Sequence, residues 1–325
     1  MRAIRQYEFG PAENLRYEEV PDPVPGDGQV LIEVEAAGVH LIDTTIRAGG
    51  AVPFPLPQLP MTPGREVAGR VAATGPGVDP AWRGRRVVAH LGMASGGYAE
   101  RAVAGVTSLH EIPERLSAPA AVAMIGTGRT AVGVLRLAGL REGDAVLVTG
   151  AAGGLGTLFV QAAQRAGALV VGAAGGPDKV ARVLCNGADV AADYNEPGWA
   201  DKVRAELGER DLTVVLDGVG GAAGRAALEL LAPAGRFLIF GWSAGSATEI
   251  TTQDLYARGI TASSALGPAM LKVVGGLRPL EEQALREAAE GWFTPAITEF
   301  PLSGAAAAHH ALQTRATVGK VVLLP

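Results

Sequence analysis

Only one of the 325 residues is a cysteine, Cys185. A lone thiol excludes an internal disulfide framework and any site built from several thiolates, the four-cysteine structural zinc lobe included. Lysine is almost as scarce: four (Lys179, Lys202, Lys272, Lys320) stand against 24 arginines. The 28 basic residues are outnumbered by 33 acidic ones, which gives a net charge of −5 and no cationic surface suited to a phosphate backbone. No nucleic-acid partner is expected. The opening MRAIRQYEFG lacks an apolar signal core, and no stretch reads as the roughly 20 apolar residues that span a bilayer. The expectation is a soluble cytoplasmic protein without a membrane partner.

Glycine and proline, by contrast, are abundant. The 45 Gly and 21 Pro form about a fifth of the chain, a proportion compatible with disorder. A hydrophobic content of 48% and a positive mean hydropathy oppose that reading. The positions of these residues therefore decide. At roughly 100–200 residues per domain the length suggests two domains.

Residues 1–115 carry short β-like runs, Val30–Ala37, Val67–Ala73 and Arg86–His90, separated by turns such as Pro25–Gly28 and Gly75–Gly77. Such punctuation predicts a compact antiparallel or barrel-like domain. Five prolines between Pro53 and Pro63 prevent regular structure and leave a stiff loop, either a pocket wall or a surface connection. From Leu116 the texture alternates. Strands are expected at Asp144–Thr149, Ala168–Ala173, Asp189–Ala192, Leu212–Asp217, Arg236–Gly241 and Gly259–Ser263. Helices are expected between them at Gly154–Ala166, Pro177–Asn186, Trp199–Leu207 and Ala222–Leu231. This predicts a doubly wound parallel sheet buried on both faces. After about Pro268 come helices Pro279–Glu290 and Ala305–Gln313 and a terminal strand Lys320–Leu324, which are assigned back to the first domain.

The strongest local signal is VLVTGAAGGLG at Val146–Gly156, an apolar strand running through a glycine turn into a helix. Backbone amides at such a helix start favour a pyrophosphate, and Gly153, Gly154 and Gly156 give the clearance it needs. The first position of G-x-G-x-x-G is Ala151, with Leu155 inside the turn. After the second strand, where an NAD enzyme carries an acid, stand Gly175 and Gly176, and no carboxylate follows until Asp178. Lys179 suits a 2′-phosphate, or is a solvated helix residue; NADP(H) is favoured. Gly218, Val219, Gly241, Trp242 and Ser243 lie where the fourth and fifth strands end, and ligands bind at such ends.

Taken in order, several motifs make the chain resemble the zinc-independent quinone oxidoreductase (zeta-crystallin-like) branch of the medium-chain dehydrogenase/reductases. They are Gly38-Val39-His40-Leu41-Ile42-Asp43, Pro63-Gly64-Arg65-Glu66-Val67-Ala68-Gly69, Gly97-Tyr98-Ala99-Glu100, Ala151-Ala152-Gly153-Gly154-Leu155-Gly156 and Gly319-Lys320-Val321-Val322. The resemblance implies an α/β chain: a GroES-like, mostly-β catalytic domain from residues 1–117 and 265–325, and an inserted Rossmann domain with a six-stranded parallel sheet over 118–264. It also implies NADPH as cofactor, a small electrophilic substrate, and a homodimer joined through edge strands of the nucleotide domains. Lys179 and Tyr194 match positions that contact the 2′-phosphate, and Thr130 matches a threonine near the nicotinamide. Gly175, Gly218, Val219, Gly241, Trp242, Ser243, Ser264 and Lys320 fall in matching cofactor segments.

Zinc-dependent cousins would carry cysteine where His40 stands and histidine where Arg65 stands. A catalytic zinc needs about three protein ligands, so no metal is expected. His40 and Asp43, spaced i, i+3, are a candidate proton donor and orienting acid. A hydrogen-bonded structural histidine is the alternative. With Thr45 they form the expected catalytic set. Tyrosines that line the quinone pocket of some relatives are Thr45 and roughly Ala51 here, which widens the pocket. Tyr98, His309 and His310 read as structural. The expected activity is hydride transfer from NADPH to a quinone or an activated alkene. A trans-acting enoyl-thioester reductase and a non-catalytic NADPH-binding protein are the alternatives.

Overall fold

Alternation of apolar and polar residues in the first 115 positions becomes antiparallel sheet in the computed structural model, which describes residues 1–52, 54–92, 95–267, 272 and 275–325. Strands β1 (Arg2–Gln6) and β2 (Leu15–Glu19) form a hairpin. The long β3 (Gln29–Val39) turns Val30, Ile32, Val34 and Ala36 inward, all buried, as the two-residue repeat of a strand requires. Helix α1 (Leu41–Arg47) follows at once, and β4 (Glu66–Thr74), β5 (Arg86–His90), β6 (Arg101–Gly105) and β7 (Leu109–Glu111) complete this half. Of the proline-rich loop, Pro53 lies outside the described residues; Met61 bridges to Gln6 of β1.

Helix α2 (Ala118–Ala123), a π-helical turn at Met124–Gly128 and α3 (Arg129–Ala138) make one uninterrupted helical run. The run corrects one expectation. By length and hydropathy Ala118–Ala138 could cross a bilayer, but 72% of it is buried inside the protein, which marks a core helix.

The nucleotide-type half alternates strictly. In order it contains β8 (Ala145–Thr149), α4 (Gly154–Arg165), β9 (Leu169–Ala174), α5 (Pro177–Cys185), β10 (Val190–Asp193) and α6 (Trp199–Leu207). It continues with β11 (Leu212–Asp217), α7 (Gly221–Leu230), β12 (Leu231–Ile239), α8 (Thr252–Arg258) and β13 (Thr261–Ser264). The six strands are all parallel, in the order β10-β9-β8-β11-β12-β13. That is the doubly wound order, with its switch point between β8 and β11. The fifth strand starts earlier than expected because Leu231 already pairs with Leu212. Pro233, which has no ladder donor, and Ala234 at φ 60° then make a bulge before pairing resumes at Arg236. Helix α8 was not anticipated; a capping box between Thr251 and Asp254 starts it and Gly259 in the left-handed region ends it.

The chain then returns to the first sheet. Strand β15 (Lys320–Leu324) pairs antiparallel with β3 and parallel with β14 (Ile297–Pro301), giving seven strands in the path β14-β15-β3-β4-β5-β7 with β6 beside β3. Between these strands lie helices Arg278–Ala289 and Ala305–Gln313. Two compact units result: Met1–Thr127 with Ala284–Glu290 and Pro295–Pro325, and Gly128–Gln283 with Gly291–Thr294. Each has its own core. Ile32, Val67, Val87, Tyr98 and Leu323 anchor the first, and Leu147, Val171, Leu212, Phe237 and Trp199 the second.

Candidate functional site

In the second unit, β8 ends at Thr149 and the turn Gly150–Gly153 leads into α4. Gly150 sits at φ 65°, a conformation that favours glycine. A Cβ on Gly156 would lie 2.2 Å from the Gly150 carbonyl oxygen and 2.6 Å from Ala151 Cα, so only glycine lets the helix start this close to the strand. Thr157 donates to Gly153 O in the first helical bond, which leaves the amides of Gly154, Leu155 and Gly156 at the open end of α4. Gly153, Gly154 and Leu155 are half-buried, while Ala151 is buried and donates its amide to Ala173 O of β9.

The other expected cofactor residues of this unit collect at the same strand ends. A Cβ on Gly175 would come 3.2 Å from Tyr194 Oη, so the ends of β9 and β10 bring that pair together, with Lys179 half-buried in the first turn of α5. Ser243 donates to Gly218 O and Ala244 to Val219 O, so the loop after β12 lies on the loop after β11. Trp242 is 58% exposed, Ser264 ends β13 and is exposed, and Thr130 is half-buried at the start of α3.

A residue not anticipated from sequence organises these loops. Asp217, fully buried at the end of β11, accepts from Thr149 Oγ1 at 2.6 Å and Thr248 Oγ1 at 2.5 Å, and from the amides of Val219 and Gly220, each at 3.1 Å. It thus ties β8 to β11 at the switch point and shapes the Gly218–Gly220 turn. A Cβ on Gly224 would lie 2.6 Å from Asp217 Oδ2.

Lys320 lies in the first unit, 4% exposed. Its Nζ donates to Glu66 Oε2 at 2.8 Å and stands 2.9 Å from His40 Nε2. His40 Nε2 is in turn 2.6 Å from Glu66 Oε1. Glu66 is fully buried; burial pushes its carboxyl up, but the positive charge of His40 and Lys320 outweighs burial and holds it well below the usual carboxylate range. Room for the carboxylate comes from two glycines: a Cβ on Gly126 would lie 1.5 Å from Oε1, and one on Gly38 2.3 Å from Oε2.

The acid that meets the His40 ring is therefore Glu66 and not Asp43. Asp43 is the N3 residue of α1, and its Oδ2 turns back to accept the main-chain N–H of His40 at 2.9 Å, as a helix start demands. The same oxygen accepts from Tyr98 Oη at 3.1 Å, and Tyr98 Oη stands 3.2 Å from His309 Nε2. Tyr98 is fully buried, and Gly64 at φ 92° makes way for its ring. Burial, then the Asp43 charge, push the Tyr98 hydroxyl well above its usual range. Burial pushes His309 down to about 4. Thr45 is half-buried on α1 with its methyl against Gly50, and His310 is exposed. Among the described residues no group of three or more His, Cys, Asp and Glu could hold a metal ion.

Comparison with known proteins adds lineage. Residues 26–114 match an alcohol dehydrogenase GroES-like domain and residues 154–277 a zinc-binding dehydrogenase domain. A quinone oxidoreductase of Sus scrofa is 36% identical over 100% of this chain and 98% of its own length. A 2-haloacrylate reductase of a Burkholderia species is 31% identical over 100% of this chain and 99% of its own. A mycobacterial protein solved in complex with NADPH superposes with a TM-score of 0.85 at 34% identity, covering 100% of both chains.

Two stability measurements follow from the first unit. Glu66→Gln is expected to cost about 3–5 kcal/mol at pH 7, because the Lys320 ammonium then stays buried without its counter-charge, and adding Lys320→Met is expected to recover most of it. Urea denaturation of both variants checks this. A histidine kept neutral by burial binds its proton more weakly folded than unfolded, so acid favours unfolding. With His309 at about 4, stability falls by about 3 kcal/mol between about pH 6.5 and about pH 4. His309→Gln, which keeps a partner for Tyr98, is expected to flatten that window.

Proposed function

The chain belongs to the quinone oxidoreductase family of the medium-chain dehydrogenase/reductases, and from that premise we propose a zinc-independent reductase that uses NADPH to reduce a quinone or an activated alkene. The observation that carries the cofactor reading is the cradle at Gly150–Gly156, which a Cβ at Gly156 would fill. The residues present fit a dinucleotide. The amides of Gly154, Leu155 and Gly156 and the dipole of α4 would hold the pyrophosphate. Lys179 and Tyr194 would hold the 2′-phosphate, and residues 173–176 at the end of β9 carry no acid to claim a free ribose hydroxyl. Val219 and the Gly241–Ser243 loop would line the ribose and nicotinamide. When bound, NADPH supplies a hydride.

Zinc does not fit the donor set, despite the name of the matching domain. Arg65 stands where the zinc-dependent branch has a histidine, and the Lys320 ammonium 2.9 Å from His40 Nε2 opposes a second cation there. The work left to the protein is to orient the acceptor and stabilise the oxygen on which charge develops. Half-buried His40, held by Glu66 and Lys320, is the group best placed in the first unit to donate a hydrogen bond or proton, and Thr45, also half-buried, lies on the helix that His40 caps. Asp43 keeps α1 and Tyr98 in register. The 2-haloacrylate reductase among the relatives supports an alkene acceptor, and the quinone oxidoreductases support a quinone. A homodimer through the edge strand β13 also belongs to this reading: that strand is largely exposed, and Tyr256 on the neighbouring α8 is 88% exposed. A monomeric mass by sedimentation would refute it.

NADPH oxidation with 9,10-phenanthrenequinone, 2-cyclohexenone and crotonyl-CoA tests the activity. Turnover of at least one acceptor is expected, and failure with all three despite tight NADPH binding would refute the reading. Lys179→Ala is expected to weaken NADPH about tenfold or more while leaving NADH within about twofold, since one charge-assisted contact to a phosphate is worth roughly 1.5–3 kcal/mol. Fluorescence titration with both cofactors reads the ratio.

A further inference from the structure

Arg65 is an ionised side chain of the first unit that the described fold answers only in part. It precedes β4 directly, one residue before Glu66, and its side chain is 17% exposed. Its Nε is buried without a hydrogen-bond partner. The guanidinium makes no hydrogen bond to any described residue: its nearest carboxylate oxygen, Asp43 Oδ1, lies 3.8 Å away, and Phe54 offers a ring face 5.9 Å from Cζ. The other oxygen of Asp43 is taken by the His40 amide and the Tyr98 hydroxyl. A guanidinium carries five donors in a planar fork; of these Nε is buried without a partner, which is costly, while the two terminal nitrogens are not fully buried and can meet a ligand. The neighbouring Glu66 does not compete for them, because both its oxygens face His40 and Lys320. Arg65 is thus a largely buried planar fork, backed by an aromatic ring and next to Asp43, which caps the helix start that carries His40.

We propose that Arg65 is a specificity-determining residue that binds the carboxylate of the acceptor, so that the preferred substrates are α,β-unsaturated carboxylates. This rests on the reductase reading above and names its substrate class. A carboxylate matches the guanidinium fork in two parallel N–H···O bonds, which a quinone or ketone oxygen cannot do. The carboxylate is kept through the reaction and accepts charge as the C=C bond is reduced. Saturation of the C=C bond adds the hydride supplied by NADPH to one carbon and a solvent proton to the other, and the product keeps its carboxylate. While the hydride adds, negative charge spreads onto the carboxylate oxygens, where the guanidinium stabilises it.

The test compares 2-chloroacrylate with its neutral isostere 2-chloroacrylamide, with 2-cyclohexenone as a neutral acceptor, in wild type, Arg65→Met and Arg65→Lys. The wild type is expected to favour the acid over the amide in kcat/KM. That ratio is expected to fall about 10- to 100-fold in Arg65→Met, with Arg65→Lys between, because a point charge replaces the fork. Calorimetric titration with the saturated, unreactive 2-chloropropionate gives a readout independent of turnover, and Arg65→Met is expected to weaken it by a similar factor. Equal rates with acid and amide, or a ratio unmoved in Arg65→Met, overturn the proposal. Reduction of cyclohexenone without any use of the acids overturns it while sparing the reductase reading. Loss of every acceptor in the wild type overturns the reading on which it rests.

Discussion

A carboxylate taken completely out of water has to be answered on every side, and in the first unit the answer to Glu66 draws on three separated parts of the chain. The ring of His40 comes from the start of α1, the ammonium of Lys320 from the last strand, and clearance from Gly38 in β3 and Gly126 in the π-helical turn. Each contact constrains an element. Lys320 reaches Glu66 because β15 pairs with β3 in a register that sets Val321 opposite Val39. The π-helical turn brings Gly126 against the carboxylate at a point where any side chain would collide. Cation, histidine and glycines therefore form one arrangement, and none can change without leaving a buried charge unanswered.

Asp217 solves the same problem in the second unit without cations. Two threonine hydroxyls and two turn amides surround it, and these donors are the ones that must be fixed if the loops after β8 and β11 are to keep their shape. The choice of partner suits each place. At Asp217 two of the hydrogen bonds come from turn amides and two from neutral hydroxyls, so the carboxylate sets loop geometry. At Glu66 they run into ionisable side chains, so the carboxylate sets the charge environment of His40. Arg65, next to it, is the contrasting case of a charge with its donors unspent.

Much of the fold was legible because its period is local. Continuous apolar runs bounded by glycine mark parallel strands buried on both faces, and β11, α6 and β5 lie where the pattern sets them. The misses have local causes too. Strand β14, Ile-Thr-Glu-Phe-Pro, is half-exposed and ends in proline, so no alternation announces it until β15 lies alongside. Helix α8 is seven residues long with no buried residue, and its capping box is its main signal. The strand expected from Arg236 starts at Leu231 instead, because Pro233 and Ala234 form a bulge inside a longer strand.

The amino-acid sequence by itself determined the strand–turn–helix of the glycine motif, the two-part organisation and the absence of a thiolate metal set, because each depends on neighbours within a few positions or on composition alone. It did not determine which acid meets His40. The i, i+3 spacing pointed to Asp43, but at a helix start that spacing serves the main-chain amide, and the ring is left for Glu66. Nor could it connect Lys320 with Glu66 or Tyr98 with His309, which lie 254 and 211 positions apart. Those pairings follow from strand register and from which glycines leave room, and both exist only once the sheet has closed.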